Sequence, residues 1–169
     1  MNIKRECAVA FTGNRNLTSP DKASGSTLEK RIRNKLYALL EEQYNQGKYQ
    51  FLCGYALGWD MLAAEEVLRL QKLHPEIELI AVIPFDGQEE KFPFFERLRY
   101  RKLRKRATYT VVIAQEYSNQ AYHDRNDYML ANASKVIAYH NGKPRSGTGS
   151  TIRKATEQGI EVVNLYDEI

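Results

Sequence analysis

The 169-residue sequence is poor in cysteine, with only Cys7 and Cys53, and it has no apolar run near the roughly 20 residues that a membrane-spanning helix needs. Two cysteines exclude a disulfide scaffold, and both fall in predicted strands, where they read as buried, inert thiols. The opening stretch carries a basic flank but a short apolar segment, so it reads as no signal peptide. No membrane partner and a cytoplasmic location are the expectations. His74, His123 and His140 are scattered and fit no zinc spacing. No metal and no cofactor are expected. There is no Gly-x-Ser-x-Gly elbow to support a hydrolase triad. Repeats, low-complexity tracts and Gly/Pro/Ser linkers are missing too, so residues 1–169 read as one domain. A chain of this length buries roughly 70% of the surface its unfolded form exposes.

What is present is ordinary in amount and uneven in place. Hydrophobic residues make up 43% and charged residues 27%, which excludes a disordered chain. The net charge of +4 suggests nucleic acid. Yet seven of the 25 basic residues lie in 97–106, a stretch with no acid, and outside it 18 basic residues face 21 acidic ones. The chain is a mildly acidic domain with one basic segment. That segment reads as the outer face of an amphipathic helix held inward by Phe95, Leu98 and Leu103. Nucleic-acid binding through it is the least favoured function.

Short apolar runs alternate with longer helical periodicities. Strands are predicted at 7–11, 50–53, 79–83, 109–114, 136–139 and 162–165, with Pro84 ending the third. Helices are predicted at 27–46, 60–73, 94–106, 123–133 and 151–158. Ser26-x-x-Glu29 has the form of a capping box for the first. The alternation predicts an α/β fold, a three-layer Rossmann-like sandwich with a mainly parallel sheet of about six strands.

Ligands of such sheets bind beyond the carboxyl ends of the strands, and three loops there have unusual content. Thr12-Gly13-Asn14-Arg15 combines a glycine with a guanidinium suited to phosphate or carboxylate; a tight turn with a surface arginine is the plain alternative. Gly54-x-x-x-Gly58-x-Asp60 precedes a helix start, where amides and the helix dipole favour an anion. It lacks the Gly-Lys-Ser/Thr of an ATPase loop, and Asp60 is either a helix cap or a ligand contact. Residues 141–151 crowd Ser146, Gly147, Thr148 and Thr151 before another helix, with Lys143 and Arg145 adding charge. Arg125, Asn126 and Tyr128 form a polar cluster on the fourth helix that by itself reads as a solvated face.

Together, residues 11–15, the segment Gly54-x-x-x-Gly58-Trp59-Asp60-x-x-Ala63-Ala64-Glu65, Arg125-Asn126-x-Tyr128 and Ser146-Gly147-Thr148 resemble the YpsA-like branch of the SLOG superfamily. That superfamily joins the Smf/DprA DNA-processing proteins and the LOG phosphoribohydrolases. The resemblance runs from Cys7 to Leu165. It implies a nucleotide or nucleotide-derived ligand, of mononucleotide or ADP-ribose type, held between the first, second and fifth strand loops. It implies contacts from Thr12, Gly13, Arg15, Gly54, Gly58, Asp60, Glu65, Ser146, Gly147, Thr148 and Thr151, with Arg125, Asn126 and Tyr128 behind them. It also suggests a homodimer. One departure bears on catalysis. Thr151 stands where LOG enzymes carry a glutamate, and a threonine cannot act as a general acid or base near neutral pH. The leading expectation is a binding or sensing module. A nucleotide-cleaving hydrolase using Asp60 or Glu65 is the alternative.

Overall fold

The computed structural model describes residues 1–169. Six strands form one all-parallel sheet: β1 (Ala8–Gly13), β2 (Gln50–Cys53), β3 (Glu78–Phe85), β4 (Tyr109–Ala114), β5 (Lys135–Tyr139) and β6 (Glu161–Asn164). Their order across the sheet is β4-β3-β2-β1-β5-β6. Five helices connect them: α1 (Gly25–Asn45), α2 (Trp59–Gln71), α3 (Phe94–Arg106), α4 (Asn119–Ala131) and α5 (Gly147–Glu157). Short 3₁₀ turns occupy Arg5–Cys7, Gln88–Lys91 and Leu165–Glu168. The Rossmann-like α/β sandwich expected from the alternation is the fold observed.

The period-2 geometry of a strand sends alternate side chains to opposite faces. Val9, Phe11, Phe51, Cys53, Leu79, Ala81, Ile83, Ile137 and Tyr139 join α1, α2 and α3 in one core of 26 buried residues. Ala8, Ala10, Leu52, Ile80, Val82, Val136 and Ala138 join α4 and α5 in a second core of 12. Both faces are covered, which is why these strands read as continuous apolar runs.

Several local expectations are corrected. The Ser26–Glu29 capping box does not form: α1 starts at Gly25, and Glu29 Oε1 accepts bonds of 3.0 and 2.8 Å from Arg33 instead. The Arg33 guanidinium pairs the carboxylate ion to ion, where the cap would offer only a backbone amide. Pro84 does not end β3, which pairs with β4 again at Phe85↔Ala114. A proline removes a single donor from the ladder, and the strand continues past it. Cys7 lies in a 3₁₀ turn and is only half-buried. α4 begins at Asn119, because Ser118 Oγ accepts the Ala121 amide at 3.0 Å. α5 begins at Gly147, because Ser146 Oγ accepts the Gly149 amide at 2.9 Å.

The inward face of α3 also differs. Phe95 is 81% exposed and Leu98 46% exposed, whereas Tyr100 and Leu103 are buried. The basic segment is more than a solvated face. Arg99 pairs with Glu65 and Glu96, Arg101 with Glu89, and Arg104 with Asp86. No helix is long and apolar enough to cross a membrane.

Candidate functional site at the sheet switch point

β1 neighbours β2 on one side and β5 on the other, so the chain direction across the sheet reverses there. Loops leaving β1 and β5 turn to opposite faces and open a crevice, the usual ligand position in such sheets. A cleft of about 380 Å³ lies at this point. Of the residues expected in the site, Thr12, Gly13, Arg15, Asp60, Arg125, Asn126, Ser146, Gly147, Thr148 and Thr151 line it.

Asn14 holds the three loops together. Its amide donates to Tyr139 O, its carbonyl accepts from Trp59, and its Oδ1 accepts from the Asn141 amide at 2.9 Å. These bonds tie the ends of β1, β2 and β5 into one rim. Residue identity alone carries no signal for such a role, since each partner is remote in sequence.

Two of the glycines make room for packed side chains. A Cβ on Gly13 would sit 2.3 Å from the Trp59 ring, which is buried and stacked on Tyr139. A Cβ on Gly54 would sit 2.2 Å from Arg125 Nη1 and 2.9 Å from Asp60 Oδ2. Gly54 itself is outside the cleft wall, but its carbonyl accepts from Arg125 Nη1 at 2.7 Å and so aims the guanidinium. Gly58 is likewise behind the wall, against the Arg15 backbone.

Arg125 is not a solvated residue: it is 6% exposed and reaches into the cleft from α4. Nε donates to Asn126 Oδ1 at 2.7 Å and Nη1 to Gly54, which leaves Nη2 without a protein acceptor. Asp60, also 6% exposed, does not cap α2; its Oδ2 accepts the Ala56 amide at 3.1 Å and its Oδ1 is unpaired. Burial pushes the Asp60 carboxyl above its ordinary value, against Arg125, the Ala56 amide and Arg15. Burial also lowers the Arg125 guanidinium, against the pull of Asp60. Two opposite charges thus face one cleft, near each other and with no direct bond between them.

At the start of α5, the Gly147 and Thr148 amides have no intrahelical acceptor and open on the cleft. Of the nearby hydroxyls, Ser146 is engaged with Gly149 and His140, and Thr151 donates to Gly147 O at 3.0 Å. Thr148 keeps its hydroxyl free. His123, Tyr122, Ser150 and Lys154 also line the cleft, although no motif marked them. Lys154 is bound to Asp127 at 2.8 Å.

Two expected residues lie elsewhere. Tyr128 packs against the α4–α5 core. Glu65 points away from the cleft, where it pairs with Arg33 at 2.6 Å and with Arg99 at 2.6 Å. Burial opposes its ionisation, but the bonds from Arg99 and Arg33 prevail and hold the carboxyl below its ordinary value. A doubly paired carboxylate is a poor proton donor near neutrality, so Glu65 is a structural ion-pair residue. Glu65→Gln is expected to cost about 2 kcal/mol and to leave ligand affinity unchanged. Because the folded carboxyl is lowered, its stabilisation holds above the ordinary value of 4.5 and disappears as pH falls below it. Urea unfolding of both forms at pH 7 and pH 3 checks this: a gap that does not narrow between the two contradicts it.

The chain is 28% identical over 153 residues to the uncharacterised SPbeta prophage-derived protein YoqJ of Bacillus subtilis, covering 82% of this chain and 89% of that one. It is 26% identical over 148 residues to a UPF0398 protein of Brevibacillus brevis, covering 83% and 77%. Among solved structures it is similar to DNA processing protein A of Streptococcus pneumoniae, with TM-score 0.58 and 20% identity over 93% of this chain and 49% of that one. The single-stranded-DNA-binding DNA processing protein A of Helicobacter pylori gives TM-score 0.63 and 19% identity over 94% and 64%. The chain therefore spans about half to two thirds of these structural neighbours, and they share its fold. The YspA SLOG family model matches residues 14–166, a span that takes in the β1, β2 and β5 loops, and the chain belongs to that family.

Proposed function

We propose that the chain binds a nucleotide or nucleotide-derived molecule, of mononucleotide or ADP-ribose type, in the switch-point cleft. Arg125 carries this reading. A buried guanidinium with a free Nη2, facing a buried carboxylate it does not touch, is a costly arrangement for an unliganded fold. A phosphorylated ribose offers the two missing partners side by side: an anionic oxygen for Arg125 and a hydroxyl for Asp60. Arg15 and the first-turn amides of α5 add further donors for phosphate. The single-stranded DNA bound by the H. pylori neighbour belongs to the same chemical class of ligand.

Calorimetric titration with ribose 5-phosphate, AMP and ADP-ribose tests the reading. Saturable binding of at least one is expected, and no binding of any up to millimolar concentration would overturn it.

A second reading rests on Asp60 alone. A carboxyl raised by burial inside a cleft is what a general acid for N-glycosidic cleavage requires. Chromatography of nucleotide incubations decides it: free base released by wild type and not by Asp60→Asn supports cleavage, and intact nucleotide throughout leaves a binding module. The basic segment offers less to a nucleic-acid reading than its charge count suggests, since Arg99, Arg101 and Arg104 are spent on the protein's own acids.

A further inference from the structure

We propose that a second crevice, continuous with the cleft, is a nucleobase pocket, so that the ligand's base and its phosphorylated sugar occupy separate chambers. This rests on the reading of the cleft given above and assigns the part of the ligand that the cleft does not explain.

The crevice has a volume of about 580 Å³ and shares Arg15, Ala56 and Tyr122 with the cleft. Its walls differ in kind from those of the cleft. Phe85, Phe92, Tyr117 and Tyr122 all line it. Phe85 meets Tyr117 and Tyr122 edge to face at 5.4 and 5.6 Å. Tyr117 is 61% exposed, so much of its ring surface is uncovered by the fold. An array of rings open on one side is the surface on which a flat heteroaromatic ring stacks.

Gln88 supplies a second, independent observation. It lines the crevice, is 5% exposed, and its Oε1 has no hydrogen-bond partner. Its Nε2 donates to Gly54 O at 3.4 Å. That carbonyl also accepts from Arg125 Nη1. One backbone oxygen just past β2 therefore accepts from a side chain lining each chamber: Arg125 of the cleft at 2.7 Å and Gln88 of the crevice at the longer 3.4 Å. With Nε2 turned to Gly54, the group left over is an acceptor, and buried acceptors are normally paired. The exocyclic amino group of a base such as adenine is a donor of the right kind. A simple anion would use neither the rings nor the acceptor oxygen. The two chambers meet at Arg15 and Tyr122, where the bond between base and sugar would cross.

Calorimetric titration of ribose 5-phosphate and AMP into the wild type, Tyr117→Ala and Gln88→Leu tests the assignment. AMP is expected to bind wild type about tenfold or more tighter than ribose 5-phosphate. Each substitution is expected to remove most of that gap while leaving ribose 5-phosphate binding unchanged. Tyr117 is exposed, so its alanine variant reports even if Gln88→Leu does not fold. Equal affinity of the two ligands for wild type, or a gap that survives in both variants, overturns the nucleobase pocket and leaves the cleft reading intact. Failure of both ligands, and of ADP-ribose as well, to bind wild type overturns the two together.

Discussion

Replacing Gly58 by alanine is expected to lower the melting temperature by about 10 °C. Gly58 holds φ +78° and ψ −114°, a conformation that a residue with a side chain adopts only under strain of about 1–3 kcal/mol. An added Cβ would also lie 2.0 Å from the Arg15 carbonyl oxygen and 2.6 Å from its carbon. Those are backbone atoms, and the neighbouring bond from Trp59 N to Asn14 O fixes them in place. The β1 and β2 loops must separate to admit the methyl group, at about 1–3 kcal/mol more. At 2–4 °C per kcal/mol for a chain of this size, the sum corresponds to about 10 °C. Calorimetric melting reads it directly, and a loss under about 3 °C would show that the close approach does not matter. Because Arg15 borders both chambers, ligand affinity is expected to fall in the same variant.

The second large effect is on binding. Arg125→Met is expected to weaken ribose 5-phosphate binding by about a hundredfold, the scale of losing a charge-assisted bond in a buried setting. Methionine keeps much of the length and flexibility of the stem, so the loss reports the guanidinium. The same substitution removes the positive charge that partly offsets burial of Asp60. Stability at neutral pH is therefore expected to drop, and the drop is predicted to shrink when Asp60→Asn is added, as for any coupled pair. The sign of the pH dependence follows from the raised carboxyl. Its folded form favours the protonated state, so its favourable contribution is complete below the ordinary value of 3.8 and is lost as pH rises through the raised value. Without Arg125 that loss is expected to extend to higher pH. Affinity within threefold of wild type for Arg125→Met would remove the observation on which the cleft reading stands.

The basic segment shows how one-dimensional arithmetic and three-dimensional pairing diverge. Counted along the chain, 97–106 is a block of like charge. In the fold, three of its five arginines, Arg99, Arg101 and Arg104, reach acids at positions 65, 86, 89 and 96, three of these acids well removed along the chain. Glu65 illustrates the same point from the other side. Its place in a motif suggested a ligand contact, but α2 turns it toward α1 and α3, where Arg33 and Arg99 take both of its oxygens. The helix period sets which side of α2 each residue occupies, and Asp60 and Glu65 fall on different sides.

The sequence by itself determined the fold class, because runs of buried strand residues and helix periodicity are local patterns that survive without any partner. It also determined which loops form the rim, since glycines and hydroxyls before helix starts gather at one end of a parallel sheet. Only the tertiary structure decided what those residues do there. Gly13 and Gly54 make room for Trp59 and Arg125. Asp60 folds back on Ala56, Thr151 donates to its own helix, and Arg125 leaves solvent for the cleft. The crevice of Phe85, Gln88, Tyr117 and Tyr122 joins residues from separate elements and belongs to no motif. The Asp60 and Thr151 bonds are local, each spanning four residues. The places of Gly13, Gly54, Arg125 and the crevice depend on atoms brought close by crossovers between strands, and separation in space across a folded sheet is not written in the spacing of residues along one chain.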